Sequence, residues 1–218
     1  MRKLLSILAI GGVCLATQPA MAQNDAKAKT VLDAVSKKVN SLKSLKADFS
    51  INLTGGKGGK TTDTKKGSLT LKGQKYRVLI SGQEIICDNK TIWTYNKEAK
   101  EVQVNNFNPA EQTMSPAKLL TNFWDKEYKY AYKGGRKEKG KDCDVVELTP
   151  TDAKKQFTKI ELTIDKATSL ISGGNYWEKN GNKYQIIVSN CVTNKDIPDT
   201  YFTWNPKDHA GVETVDLR

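Results

Sequence analysis

IICDNKTIWTYNKEAKEVQV, residues 85–104, consists of three apolar runs joined by two short polar turns, the pattern of a β-meander. Asp88-Asn89-Lys90 separates the first two runs, and Asp and Asn tolerate the positive φ that short hairpin turns demand. With a period of two, Trp93 and Tyr95 project from one face and Ile92 and Thr94 from the other, so neither face is fully polar. The sheet is expected to bury something on both sides. Either a helix covers each face, or one face lines a ligand cavity.

Working outward to the N-terminus, Met1-Arg2-Lys3 precedes an apolar run over residues 4–17 and then Ala20-Met21-Ala22. A basic end, a short apolar segment and an A-x-A site predict a signal peptide over residues 1–22 and an exported mature chain from Gln23. The run is too short to anchor the chain across a bilayer, and Cys14 follows Val13 rather than a small residue, so lipid attachment there is not expected. The 196 residues 23–218 suit a single domain. Net charge is +11, or +9 without Arg2 and Lys3, which favours either an anionic partner surface or a lysine-rich solubilising shell. Export makes nucleic acid the least expected partner. Cys87, Cys143 and Cys191 are odd in number and lack metal-type spacing, so neither a disulfide framework nor a zinc site is expected, while one bridge with one free thiol stays open.

Asn24-Asp25 can cap a helix running to about Leu42, with Val31, Leu32, Val35, Val39 and Leu42 on one stripe. Leu45, Ala47, Phe49, Ile51 and Leu53 then alternate with polar residues as a half-buried strand. Residues 55–66, GGKGGKTTDTKK, read as a flexible hairpin loop without a packed element, and they lack the spacing of a phosphate-binding loop. Strands follow at 67–71 and 75–81 around Lys72-Gly73-Gln74. Ser115-Pro116 opens a helix whose Leu119, Leu120, Phe123 and Trp124 form the densest apolar patch. From Tyr128 the chain reads as serial strands with turns at Gly134-Gly135, residues 165–168 and Asn180-Gly181-Asn182. Ten or eleven strands in near sequential order predict an antiparallel sheet that must curl strongly or close into a partial barrel.

Several of these segments resemble the LolA-like family of periplasmic outer-membrane lipoprotein carrier proteins. D-N-K-T-I-W-T-Y-N at residues 88–96 looks like the family hairpin D-G-K-x-L-W-x-Y, with Asn89 in place of Gly. Similar order appears in the first helix leading into Leu-Lys-Ala-Asp-Phe-Ser, in G-S-L-T-L-K-G-Q-K-Y-R-V at 67–78, in V-V-E-L-T-P at 145–150, in I-E-L-T-I-D at 160–165 and in the closing T-Y-F-T-W-N-P-K-D-H-A-G-V-E. The resemblance implies an α+β fold: a strongly curved antiparallel sheet forming an incomplete half β-barrel, covered by an N-terminal helix and short lid helices. It implies that Tyr201, Phe202 and Trp204 close the sheet. It also places Lys72 where the family commonly carries the arginine that holds the lid shut, assigning lid control to a residue with the charge but not the planar fork of arginine.

His209 is the single histidine, with no Ser or Cys in an elbow motif to complete a triad, and no paired carboxylates recur on one face; an enzyme, a cofactor and a metal are not expected. The residues permit an apolar cavity instead. Candidate walls are Tyr76, Val78 and Ile80 from one strand phase, Trp93 and Tyr95 from the hairpin, and Leu119, Leu120 and Phe123 from the covering helix. The family resemblance implies a monomeric chaperone that takes acylated lipoproteins from an inner-membrane lipoprotein-releasing ABC transporter complex, with transient membrane proximity, to an outer-membrane acceptor. Two alternatives share the fold: a sensor or regulatory module that transports nothing, and a binder of another lipid such as a glycolipid. Sensors on this fold usually add a second domain, for which the chain is expected to be too short.

Overall fold

Asp25 starts the first helix as expected: one carboxylate oxygen accepts from the backbone N–H of Lys27 and Ala28, at 2.7 and 3.2 Å. The helix, α1 (Ala26–Asn40), stops short of Leu42 and buries Ala28, Val31, Leu32, Val35 and Val39 along one stripe. The other Asp25 oxygen accepts from the amide of Tyr132 at 3.0 Å, so the same side chain that caps the helix ties it to the edge of the sheet. The computed structural model describes residues 25–55, 61–108, 116, 120 and 124–218. The expected signal peptide, Leu119 and Phe123 lie outside the described residues.

Twelve strands follow: β1 (Leu45–Thr54), β2 (Thr61–Lys72), β3 (Lys75–Ile80), β4 (Gln83–Cys87), β5 (Thr91–Asn96), β6 (Glu101–Asn106), β7 (Tyr128–Glu138), β8 (Lys141–Pro150), β9 (Phe157–Asp165), β10 (Leu170–Glu178), β11 (Lys183–Thr193) and β12 (Glu213–Asp216). A short helix, α2 (Trp124–Glu127), precedes β7. The strands form one curved open sheet in the order β12-β6-β5-β4-β3-β2-β1-β11-β10-β9-β8-β7, with β12 and β7 at its two ends. The α+β class and the curved sheet match expectation. The expected lid helices are not shown: of that segment, Leu120 donates its amide to the Pro116 carbonyl at 3.2 Å, and most of the rest lies outside the described residues.

Three local readings need correction. The expected loop 55–66 is partly strand: Thr61–Lys66 pair with β1 as far as Thr54, because a β1 of ten residues offers its outer half as a backbone template that needs no apolar side chain opposite. The turn expected at Gly134-Gly135 moves to Lys139-Gly140, both at positive φ (50° and 79°), while Gly134 sits in a bulge of β7. Finally, Tyr201, Phe202 and Trp204 do not close the sheet as a strand. They pack on its face from a 3₁₀ turn, Asp199–Phe202, and the coil after it, and the last strand β12 instead runs parallel to β6. Pro198 and Pro206 break any continuous ladder there.

The sheet therefore carries two cores. On one face, the α1 stripe and Trp124 of α2 share a core with Leu45, Leu71, Tyr76, Tyr130, Val146, Leu148, Ile160 and Leu162. On the other, the C-terminal tail lays Trp204 against Ile86 and Val102, with Trp93, Tyr95 and Val212 beside them, and Phe202 is fully buried. His209 stacks on Trp204, ring centroids 3.8 Å apart, and meets Tyr95 edge-on at 4.9 Å. Because the tail core depends on its own large residues, Phe202→Ala should cost about 3–5 kcal/mol and Leu32→Ala about 2–5 kcal/mol in urea unfolding; a change under about 1 kcal/mol at Phe202 would mean the tail is not part of the cooperative fold.

Candidate functional site: an apolar cavity over the central strands

Strand pairing decides which side chains share a face. Tyr76 pairs with Cys87 and Val78 with Ile85; Cys87 in turn pairs with Ile92 and Ile85 with Thr94. The face carrying Tyr76 and Val78 therefore continues through Ile92 and Thr94, and Trp93 and Tyr95 belong to the opposite face. That face is covered by the tail.

On the helix side, α1 touches β7, β8 and β10 and leaves the sheet centre less covered. A cavity of about 270 Å³ opens there. Its floor comes from Phe49 and Ile51 of β1, Leu69 of β2 and Val78 of β3; its far wall from Ile171, Tyr176, Ile186 and Val188 of β10 and β11; and its roof from Val39 of α1, Pro116 and Leu120. Apart from the Tyr176 phenol and the Cys191 thiol, every residue lining it is apolar. Burial pushes the Tyr176 phenol up to about 12, so it stays neutral at physiological pH. Such a space is suited to hydrocarbon and offers nothing for acid or base chemistry. Among the described residues, no three His, Cys, Asp or Glu side chains converge to hold a metal ion, and no helix is long and apolar enough to cross a membrane.

The geometry of β1 makes the space possible. Phe49 lies over Gly67, where a Cβ would meet the Phe49 ring at 2.6 Å and press on the Leu79 carbonyl. A side chain at residue 67 would drive the ring toward the cavity or break the β2–β3 pairing.

Of the residues proposed from sequence, Val78 and Leu120 line this cavity. Tyr76 is buried in the helix-side core, where burial raises its phenol and its contact with Cys87 adds to the shift. Ile80 borders a separate depression with Leu79, Gly82 and Tyr95. Trp93 and Tyr95 pack under the tail. The β10–β11 wall and the pair Phe49 and Ile51 were missed, although the strict alternation of β1 carried the signal for the latter. Cys87, Cys143 and Cys191 are all free, the first two buried and the third exposed.

Lys72 faces away from the cavity. Its ammonium donates to the Ile197 carbonyl at 2.7 Å and to Asp199 at 2.8 Å, and Lys75 reaches the other Asp199 oxygen at 2.7 Å. Arg77 donates to the Tyr201 carbonyl at 3.0 Å, pairs with Glu84 and lies over the Tyr201 ring at 4.8 Å. These cations clamp the C-terminal tail, with a backbone carbonyl as one acceptor for Lys72. Hydrogen bonds from Lys72 and Lys75 hold the Asp199 carboxyl down to about 2. A lowered carboxylate stabilises the fold fully above its ordinary range and loses that contribution as pH falls from about 4 toward 2. Asp199→Asn should therefore lower the unfolding midpoint at pH 7, with the gap to the parent closing over that acid range; a gap independent of pH would show that the carboxylate charge is not what holds the tail.

Residues 40–205 match the outer membrane lipoprotein carrier protein LolA family. No curated protein matches the sequence. Among solved structures, an uncharacterized conserved protein from Thermus thermophilus is similar at a TM-score of 0.61 and 12% identity, covering 87% of this chain and 99% of that one. The Mycobacterium tuberculosis lipoprotein LppX is similar at 0.51 and 11%, covering 80% and 99%. The Pseudomonas aeruginosa MucA/MucB complex contains a chain similar at 0.51 and 14%, covering 84% of this chain and 62% of its own. At these identities the likeness is one of fold, and the family model spans most of the sequence. The chain belongs to the LolA family of outer membrane lipoprotein carrier proteins.

Proposed function

We propose that this protein is a periplasmic chaperone that shelters acyl chains of lipoproteins and ferries them from the inner to the outer membrane. The observation that carries the reading is the cavity between β1–β3, β10–β11 and the Leu120 turn, whose walls are almost entirely hydrocarbon. Family membership and the sequence features of an export signal support the same reading. Burying about ten methylenes at ~0.8 kcal/mol each yields about 8 kcal/mol gross, on the scale of micromolar binding before the costs of association are subtracted. A carrier must release its cargo. Partial cover of a triacyl anchor keeps release feasible, and the limited volume of the cavity fits partial cover.

In this reading the chain receives cargo from an inner-membrane ATP-driven releasing complex and needs no nucleotide or metal of its own. An outer-membrane acceptor, or the membrane itself, takes the cargo.

Acylated proteins recovered on the immobilised protein from an envelope extract provide the test. Leu120→Asp places a charge in the cavity roof and should reduce recovery to under about a tenth of the parent's, with the unfolding midpoint unchanged to within a few degrees. Depletion in a Gram-negative host should strand lipoproteins in the inner membrane. Equal recovery by both proteins would remove the cavity from the account, and normal lipoprotein sorting after depletion would favour a regulatory binding module on the same fold.

A further inference from the structure

The apolar cavity has a polar neighbour. A second space of about 310 Å³ is lined by Leu170, Ile171, Val188 and Cys191, the same four residues that form one end of the first, and beyond them by Lys38, Lys141, Asp165 and a set of hydroxyls. The change from hydrocarbon to polar wall falls where two neighbouring strands lose register. β10 bulges between Ile171 and Gly173, and β11 bulges opposite Lys46 to Asp48, with Asn190 at φ 47°. Bulges on adjacent strands re-aim the side chains there, which sets Ser172, Ser189 and Asn190 on the wall of the second space and leaves Cys191 on the border of both.

The charges of this chamber do not cancel. Asp165 is the one carboxylate among the described residues lining it, and both of its oxygens are engaged. One oxygen accepts from Lys141 at 2.9 Å, and the other from the amides of Ala167 and Thr168 at 2.9 and 3.3 Å. Lys141 is thus neutralised by Asp165. Lys38, half-buried in the last turn of α1, brings a further positive charge to the chamber with no second carboxylate in its lining.

We infer that the two spaces form one site for an amphiphile: a hydrocarbon chain in the apolar cavity and, in the polar chamber, an anionic head, carboxylate or phosphodiester, met by Lys38. The inference rests on the acyl-binding reading and goes beyond lipoprotein cargo to a further ligand class, a free anionic amphiphile. An ammonium at a partly wetted mouth contributes a modest preference rather than the bulk of the affinity, which comes from the buried chain. Hydroxyls of Thr168, Ser189 and Thr193 line the remaining wall and suit head oxygens.

Titration of the full mature chain with dodecanoate and with methyl dodecanoate tests it, both below their aggregation concentrations and followed by calorimetry. Lysophosphatidylglycerol against lysophosphatidylcholine of equal chain length forms a second pair that distinguishes a free fatty acid from a phospholipid source. The anionic member of at least one pair should bind about fivefold more tightly, Lys38→Gln should bring its affinity down to that of its uncharged or zwitterionic counterpart, and Lys38→Arg should keep the preference. Lys37→Gln makes the same change in net charge one residue away on an exposed position and should also keep it. Equal binding within both pairs, or a preference that survives Lys38→Gln, overturns the inference while leaving acyl binding intact. Failure of every ligand to bind overturns acyl binding, and the inference falls with it.

Discussion

The constraint on which this molecule depends is one of coverage. A twelve-stranded sheet with apolar residues on both faces has more surface to hide than one fifteen-residue helix can cover. The chain meets the shortfall unequally. On one face the C-terminal tail is laid over β3 to β6, fastened by Lys72, Lys75 and Arg77 and filled by Phe202 and Trp204. On the other, α1 is fastened over β7 to β10 by Asp25, and the central strands keep apolar side chains that nothing among the described residues fully covers. Half-exposed Phe49, Ile186 and Val188 are costly in water unless a transient occupant compensates.

The proposed function follows from that inequality. Aromatic packing by the tail closes the opposite face over β4 to β6. A face left open over its central strands, roofed among the described residues by Val39, Pro116 and Leu120, presents only the Tyr176 phenol and the Cys191 thiol as polar groups, which in the proposed reading suits a hydrocarbon chain. The cations that could have been assigned to controlling that roof are spent on the tail. Lys72 closes β2 just before the turn into β3, on the face opposite the cavity, so its hydrogen bond to the Ile197 carbonyl stabilises the closed back of the molecule.

Much of this was legible in the residues. Asp25 as a cap, the α1 stripe, the hairpin at Asn89 with φ 82° and the serial strands after Tyr128 all follow from local chemistry: capping oxygens, helical spacing and residues that tolerate positive φ. The site was legible only in part, because the wall is set by pairing between strands rather than by any strand alone. Trp93 and Tyr95 have the composition of a lipid-lined wall, and the alternation within β5 puts them together; only the register Tyr76 to Cys87 to Ile92 shows that they share a face with the tail instead of with Val78. The same holds for Ile186 and Val188, which reach the cavity because β11 pairs with β1 from far along the chain, Ile51 opposite Ile186 and Phe49 opposite Val188. Long-range partners of that kind leave no periodic mark in a single sequence.

The central claim is that hydrocarbon enters the helix-side cavity and no other part of the sheet. Methyl-resolved NMR of isoleucine-labelled protein with a spin-labelled fatty acid tests it most directly, since Ile51, Ile171 and Ile186 line the cavity, whereas Ile86 lies under the tail. Selective broadening of the first three, with Ile86 unaffected, is the expected result. Broadening centred on Ile86, or none at saturating ligand, would contradict it.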